Sequence, residues 1–192
     1  MKTIGVLLAA GKSTRFGTNN KLLEDFKGRS LCTYAAEAMA GAGLSGCVAV
    51  VSDSAVAMIL PEFEPVYCSG NQSDSLKTGV HAAIALDADQ IVVCLADMPF
   101  ITVQLIVSLM SLAKDHPICG STWGGKKSPP AVIPKAKFDE VLKLQGDSGA
   151  FSLLRNLPAS AFLAVGEIDL IDLDTVGDFR IFCSNSWNSN FS

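Results

Sequence analysis

Ile4-Gly5-Val6-Leu7-Leu8-Ala9-Ala10-Gly11-Lys12-Ser13-Thr14-Arg15-Phe16-Gly17, with Lys21 close behind, is the stretch whose reading sets the fold class. The apolar run from Ile4 to Ala9 reads as a short strand buried on both faces. It runs straight into a small-residue loop that carries Lys12, Arg15 and Lys21. Ala10 and Gly11 let backbone N–H groups approach an anion closely, and the three cations neutralise phosphate oxygens. The carboxyl end of a strand in an open α/β sheet is where ligands bind. A basic surface loop whose glycines only make a turn is the plainer alternative. Gly11-Lys12-Ser13 resembles the end of a Walker A loop, but Val6 stands where that loop needs its first glycine. A G-x-G-x-x-G dinucleotide loop is absent too.

Outward from this loop, apolar runs alternate with helical patterns. Further strands are expected at Cys47 to Ser52, Glu64 to Cys68, Gln90 to Leu95, Pro117 to Trp123, Ala131 to Pro134, Phe162 to Val165 and Asp169 to Leu173. Helices are expected at Ser30 to Ala42, Ser54 to Leu60, Ser73 to Leu86 (capped by Ser73 or Asp74), and Thr102 to Lys114 (capped by Thr102). Shorter helical patterns lie at Lys137 to Lys143 and Ser148 to Asn156, and a turn at Gly124-Gly125-Lys126-Lys127. Strands regularly separated by helices indicate a mainly parallel sheet covered on both faces, a three-layer α/β/α arrangement. One domain is expected over residues 1–182, with a Ser- and Asn-rich tail over 183–192 that frays.

Composition narrows the function. With 192 residues, 49% hydrophobic and 18% charged, the chain can bury a sizeable core. A net charge of -4 gives no general attraction to nucleic acid or to anionic membranes. The 6 cysteines are scattered without C-x-x-C spacing, as small buried hydrophobes in a reducing compartment would be. No secretory signal and no run long enough to span a bilayer is visible, so a cytoplasmic location is expected. His81 and His116 lack partners at nucleophile or metal spacing and read as structural.

The second informative stretch is Leu95-Ala96-Asp97-Met98-Pro99-Phe100-Ile101-Thr102. Asp97 falls just past an apolar strand and faces the same strand ends as the phosphate loop. Opposite a triphosphate a carboxylate only repels, unless a divalent cation lies between them. Magnesium suits one or two carboxylates plus phosphate oxygens. The plainer alternative is that Asp97 merely begins a turn. Further acids follow in Asp169-Leu170-Ile171-Asp172-Leu173-Asp174-Thr175, where the plainer reading is an exposed edge strand kept soluble by charge.

The L-A-A-G-K-S-T-R-F-G pattern with N-K-L-L after it, and the L-A-D-M-P-F-I string, resemble the MobA-like NTP transferases, most closely the molybdenum cofactor cytidylyltransferases. The resemblance implies a modified Rossmann-like nucleotidyltransferase fold and transfer of NMP from an NTP to a phosphorylated acceptor, with release of pyrophosphate. It implies nucleotide contacts from Leu8, Ala9, Ala10, Gly11, Lys12, Ser13, Arg15 and Lys21, with Lys12, Arg15, Lys21 and Asp97 as catalytic groups. Mg²⁺ is the implied cofactor, held by Asp97 and by Asp172 before Asp174 as second choice. The A-A-G sequence favours CTP over GTP. Gly70, Ser75 and Leu76 match the segment that contacts base and ribose, and Gly146, Asp147 and Gly149 the acceptor segment. Phe151 stands where that segment carries Arg, and Ser128-Pro129-Pro130 where the family has G-H-P. Molybdopterin is the implied acceptor and a molybdoenzyme or chaperone a transient partner. A sugar phosphate or methylerythritol phosphate as acceptor, and nucleotide binding without turnover, stay open.

Overall fold

A computed structural model describes residues 1–11, 20–146 and 149–183. The strands are β1 (Thr3–Ala9), β2 (Asp25–Phe26), β3 (Arg29–Ser30), β4 (Gly46–Val51), β5 (Glu64–Tyr67), β6 (Gln90–Leu95), β7 (Cys119–Trp123), β8 (Lys126–Pro134) and β9 (Phe162–Ala164). The helices are α1 (Cys32–Ala40), α2 (Ser54–Met58), α3 (Gln72–Ala85), α4 (Val103–Leu112), α5 (Phe138–Leu142), α6 (Phe151–Leu154) and α7 (Val176–Cys183). Seven strands form one sheet in the order β5-β4-β1-β6-β8-β7-β9, and β2 and β3 pair in a separate ribbon. The pairs β5–β4, β4–β1, β1–β6 and β7–β9 are parallel, and within this sheet β8 runs against its neighbours.

Burial explains the layers. On one face of the sheet Leu7, Ala9, Val51, Val92 and Cys94 pack with Ala35, Met39, Ile106 and Leu109 of α1 and α4. On the other, Val6, Val48, Val50, Ile91 and Val93 pack with Leu76, Val80 and Ala83 of α3 and Val141 of α5. The central strands therefore need apolar residues along most of their length, as at Ile4–Ala9 and Ile91–Leu95, while the buried Thr3 and Gln90 at their starts satisfy each other, Gln90 Nε2 donating to Thr3 Oγ1 at 2.9 Å. No helix among the described residues is long and apolar enough to cross a membrane.

The structure corrects the sequence reading in several places. Helix α3 is capped by Asn71, not by Ser73 or Asp74: Asp74 instead closes a capping box, its carboxylate accepting from the Asn71 N–H. The Gly124–Gly125 turn is shorter than expected, because Lys126 already starts β8. Asp169 to Leu173 is not a strand. Gly166 N–H donates to Asp169 Oδ2, and Ile168–Leu170 form a 3₁₀ turn. Its buried residues, Leu170 and Leu173, lie three apart rather than two, so the apparent alternation has no sheet face to serve. The β2–β3 ribbon was not anticipated. The ribbon turns on Lys27 and Gly28, both at positive φ, and its Phe26 is buried. Residues 184–192, most of the expected tail, lie outside the described residues.

Candidate active site

Because β1, β4, β5 and β6 are parallel, their carboxyl ends open on one rim. Ala96 N–H donates to Leu8 O at 3.1 Å and Met98 N–H to Leu95 O at 3.4 Å, so the turn after β6 is tied to β1 and aims Asp97 along that rim. Lys21 arrives from the other side. The Asn20 side chain accepts from Leu22 N–H at 3.1 Å and so caps the 3₁₀ turn Lys21–Leu23. Asn20 Nδ2 also donates to Asp53 Oδ2 at 3.1 Å, and Asp53 Oδ1 caps α2 through Ala55 N–H. These bonds pin the end of the loop to the carboxyl end of β4.

The Lys21 ammonium then stands between two carboxylates, donating to Asp97 Oδ2 at 2.8 Å and to Asp174 Oδ1 at 2.6 Å. Leu173 N–H donates to the Asp97 carbonyl at 3.0 Å, and the Leu173 side chain is fully buried, which fixes its neighbours Asp172 and Asp174 against the Asp97 turn. Side-chain exposure is 9% for Lys21, 21% for Asp97 and 39% for Asp174, so the trio opens to solvent on the Asp174 side. Burial pushes the Asp97 carboxyl above its ordinary range. Lys21 pulls it back, while the charges of Asp172 and Asp174 add to the rise. Burial opposes charge on Lys21, but Asp97 and Asp174 outweigh it and hold the ammonium above its ordinary range.

Asp97 Oδ1 is buried and has no hydrogen-bond partner among the described residues. A buried carboxylate oxygen left without a donor is costly unless something else satisfies it. Among the described residues no group of three or more His, Cys, Asp or Glu side chains could hold a metal ion by itself. One buried carboxylate with two more acids beside it fits a hard cation that takes the rest of its oxygens from phosphate and water.

Of the residues singled out from sequence, Lys12, Ser13, Arg15 and Asp147 lie outside the described residues. Leu8, Ala9, Ala10 and Gly11 lead onto the rim. At Gly11 an added Cβ would meet nothing within 4 Å among the described residues. At Gly70 it would stand 2.4 Å from Asp74 Oδ2, so glycine is what lets the α3 capping box form. Ser75 Oγ donates to Asn71 O at 3.2 Å, and Leu76 is fully buried under the sheet. Leu76 therefore has only its backbone to offer a ligand. Gly146 and Gly149 adjoin the start of α3: Ser73 N–H donates to Gly146 O at 3.2 Å, and a Cβ on Gly149 would stand 3.0 Å from Gln72 Oε1. Asp174, the second choice in sequence, is the acid joined to Lys21, while Asp172 is exposed beside it.

Sequence reading missed Asn20, Asp53 and Asp178. Asp178 Oδ2 accepts from Asp174 N–H at 3.0 Å and from Thr175 N–H at 2.7 Å, and Asp178 N–H donates to Thr175 Oγ1 at 3.2 Å. This reciprocal box starts α7 ahead of Val176 and Gly177, and it holds the Asp174 backbone. The T-x-x-D spacing was the available signal. Partial burial opposes its charge, but bonds from Thr175 and from Asp174 N–H outweigh that and hold the Asp178 carboxyl below its ordinary 3.8. A depressed carboxylate adds stability above its unfolded value and loses it as pH falls through the folded one. Asp178→Ala is expected to cost about 1 kcal/mol at pH 7. Urea unfolding of variant and wild type should converge as the pH drops below 3.8.

An open, mainly parallel sheet with an ion-paired carboxylate turn beside a small-residue loop defines a Rossmann-like α/β protein of the nucleotidyltransferase type. The chain belongs to the MobA-like NTP transferase family, whose domain matches residues 5–161. It is 31% identical over 195 residues to the purine catabolism protein PucB of Bacillus subtilis (strain 168), covering 92% of this chain and 93% of PucB. It is 30% identical over 167 residues to the nicotine blue oxidoreductase of Paenarthrobacter nicotinovorans, covering 80% of this chain and 82% of that protein. In fold it is similar to Rv0371c of Mycobacterium tuberculosis H37Rv, solved as a manganese complex, with a TM-score of 0.79 at 23% identity over 95% of this chain and 98% of that one.

Proposed function

We propose that the chain transfers a nucleoside monophosphate from an NTP, with CTP preferred, onto the phosphate of molybdopterin, releasing pyrophosphate. The observation that carries this reading is the Lys21 ammonium between Asp97 and Asp174 at the strand ends, beside the A-A-G loop. An acceptor phosphate oxygen attacks the α-phosphorus in line, and the bond from the α-phosphorus to the bridging oxygen breaks. The electron pair leaves with pyrophosphate. The attacking oxygen is already anionic, so no general base is needed, and catalysis is positioning and charge neutralisation.

Lys12, Arg15 and Lys21 offset phosphate charge in this reading, backbone N–H groups of Ala10 and Gly11 serve the triphosphate, and Leu8, Ala9 and Ser13 belong to the same nucleotide site. Asp97, with Asp174 and Asp172 beside it, would hold a Mg²⁺ ion. When bound, that ion supplies charge neutralisation at the phosphates. The manganese in the Rv0371c complex supports a divalent cation in this fold. In the same reading Gly70 and Ser75, with the Leu76 backbone, serve the base and ribose, and Gly146, Asp147 and Gly149 the acceptor. A cytoplasmic location, with the product handed to a molybdoenzyme or chaperone, follows from the same reading.

The test is pyrophosphate release with each of the four NTPs and Mg²⁺, with and without molybdopterin. Release with CTP only when molybdopterin is present is the expected result. Release with a sugar phosphate or methylerythritol phosphate instead would replace the acceptor. NTP binding without release from any acceptor would overturn transfer altogether. The oxidoreductase activity in the name of one relative would then be tested next.

A further inference from the structure

We propose that Lys21 is a built-in competitor of the divalent cation, so that metal is admitted to Asp97 and Asp174 only once a nucleotide phosphate draws the ammonium away. The inference rests on the reading that these two carboxylates hold the metal. The Lys21 nitrogen lies 2.8 Å from Asp97 Oδ2 and 2.6 Å from Asp174 Oδ1, so it already engages an oxygen of each carboxylate that would hold the cation. An ammonium and a divalent cation repel strongly at such a separation, more so beside a side chain as buried as Asp97.

The carboxylates are held in place while the ammonium can move. Asp97 is fixed by the Leu8–Ala96 and Leu173–Asp97 backbone bonds, and Asp174 by its N–H bond to Asp178. The Lys21 backbone is set by the Asn20 cap, and among the described residues its ammonium is held by these two ion pairs, on a four-carbon stem that can swing once they break. The swing costs two carboxylate contacts, so it needs a replacement anion. A nucleotide triphosphate supplies one, and the same phosphates offer the incoming metal the oxygens that the described residues lack. Until then Lys21 neutralises part of the charge of Asp97, Asp172 and Asp174, which would otherwise repel one another and the nucleotide.

The experiment is Mn²⁺ titration of nucleotide-free protein, read by the electron paramagnetic resonance signal of free Mn²⁺. Lys21→Gln keeps a donor but removes the charge, and is expected to bind Mn²⁺ at least ~10-fold tighter than wild type without nucleotide. Lys21→Arg keeps the charge and should bind as wild type does. If Lys21→Gln proves too unstable to titrate, its melting temperature should rise more on adding Mn²⁺ than that of wild type. Equal or weaker Mn²⁺ binding by Lys21→Gln, or an equal or smaller rise in melting temperature, overturns the competition. Asp97→Asn separates this failure from failure of the metal reading itself. Unchanged Mn²⁺ binding by that variant in the presence of CTP removes Asp97 as a ligand.

Discussion

Asp97→Asn is expected to lower the rate of nucleotidyl transfer about 10²–10⁴-fold, or about 3–5 kcal/mol of transition-state stabilisation, in line with the loss of one preorganised electrostatic group. The exchange keeps side-chain volume and leaves the backbone bonds of the turn intact, from Ala96 N–H to Leu8 O and from Leu173 N–H to Asp97 O. Lys21 keeps Asp174 as a partner. Global stability should therefore change little, since the lost ion pair is offset by removal of a buried charge whose Oδ1 lacks a donor among the described residues. Steady-state turnover and thermal melting measured side by side make the check. Near-normal turnover would take Asp97 out of the chemistry. A collapse in stability equal to the loss of rate would make it a structural ion pair.

Phe26→Ala carries the largest expected cost in stability, about 3–5 kcal/mol by the usual toll of truncating a buried Phe. Phe26 is 1% exposed and meets three rings edge-on, with centroids 5.4 Å away at Tyr34, 5.9 Å at Phe100 and 5.8 Å at Phe179. It joins the β2–β3 ribbon to α1, to the turn after β6 and to α7. That last contact matters for the site, because α7 begins one residue after Thr175 and holds Asp174 through Asp178. A domain is stable by only ~5–15 kcal/mol, so this loss is a large share. Urea unfolding should show the midpoint fall, and the apparent affinity for Mn²⁺ with CTP should fall in the folded fraction. A loss below about 1 kcal/mol would mean that the ribbon and α7 pack independently.

The sequence determined the framework because the signals that specify it are local. Apolar runs at Ile4 to Ala9 and within Gln90 to Leu95 marked buried strands, and the alternation with helices gave a mainly parallel sheet. Thr102 was readable as the cap of α4 because its side chain bonds Leu105 N–H three residues on. The Asp97 turn was placed at the strand ends for the same kind of reason. Tertiary structure decided what these groups touch. Lys21 lies 76 residues from Asp97 and 153 from Asp174, and no periodicity reports a pairing over such distances. Packing of Leu173 into the core and the box closed by Asp178 placed Asp174, rather than Asp172, on the ammonium. Leu76 read as a base contact from its motif, yet its side chain is buried under the sheet because α3 presents that position to the core. Local pattern sets which elements form, but the partners of a buried charge depend on how those elements pack.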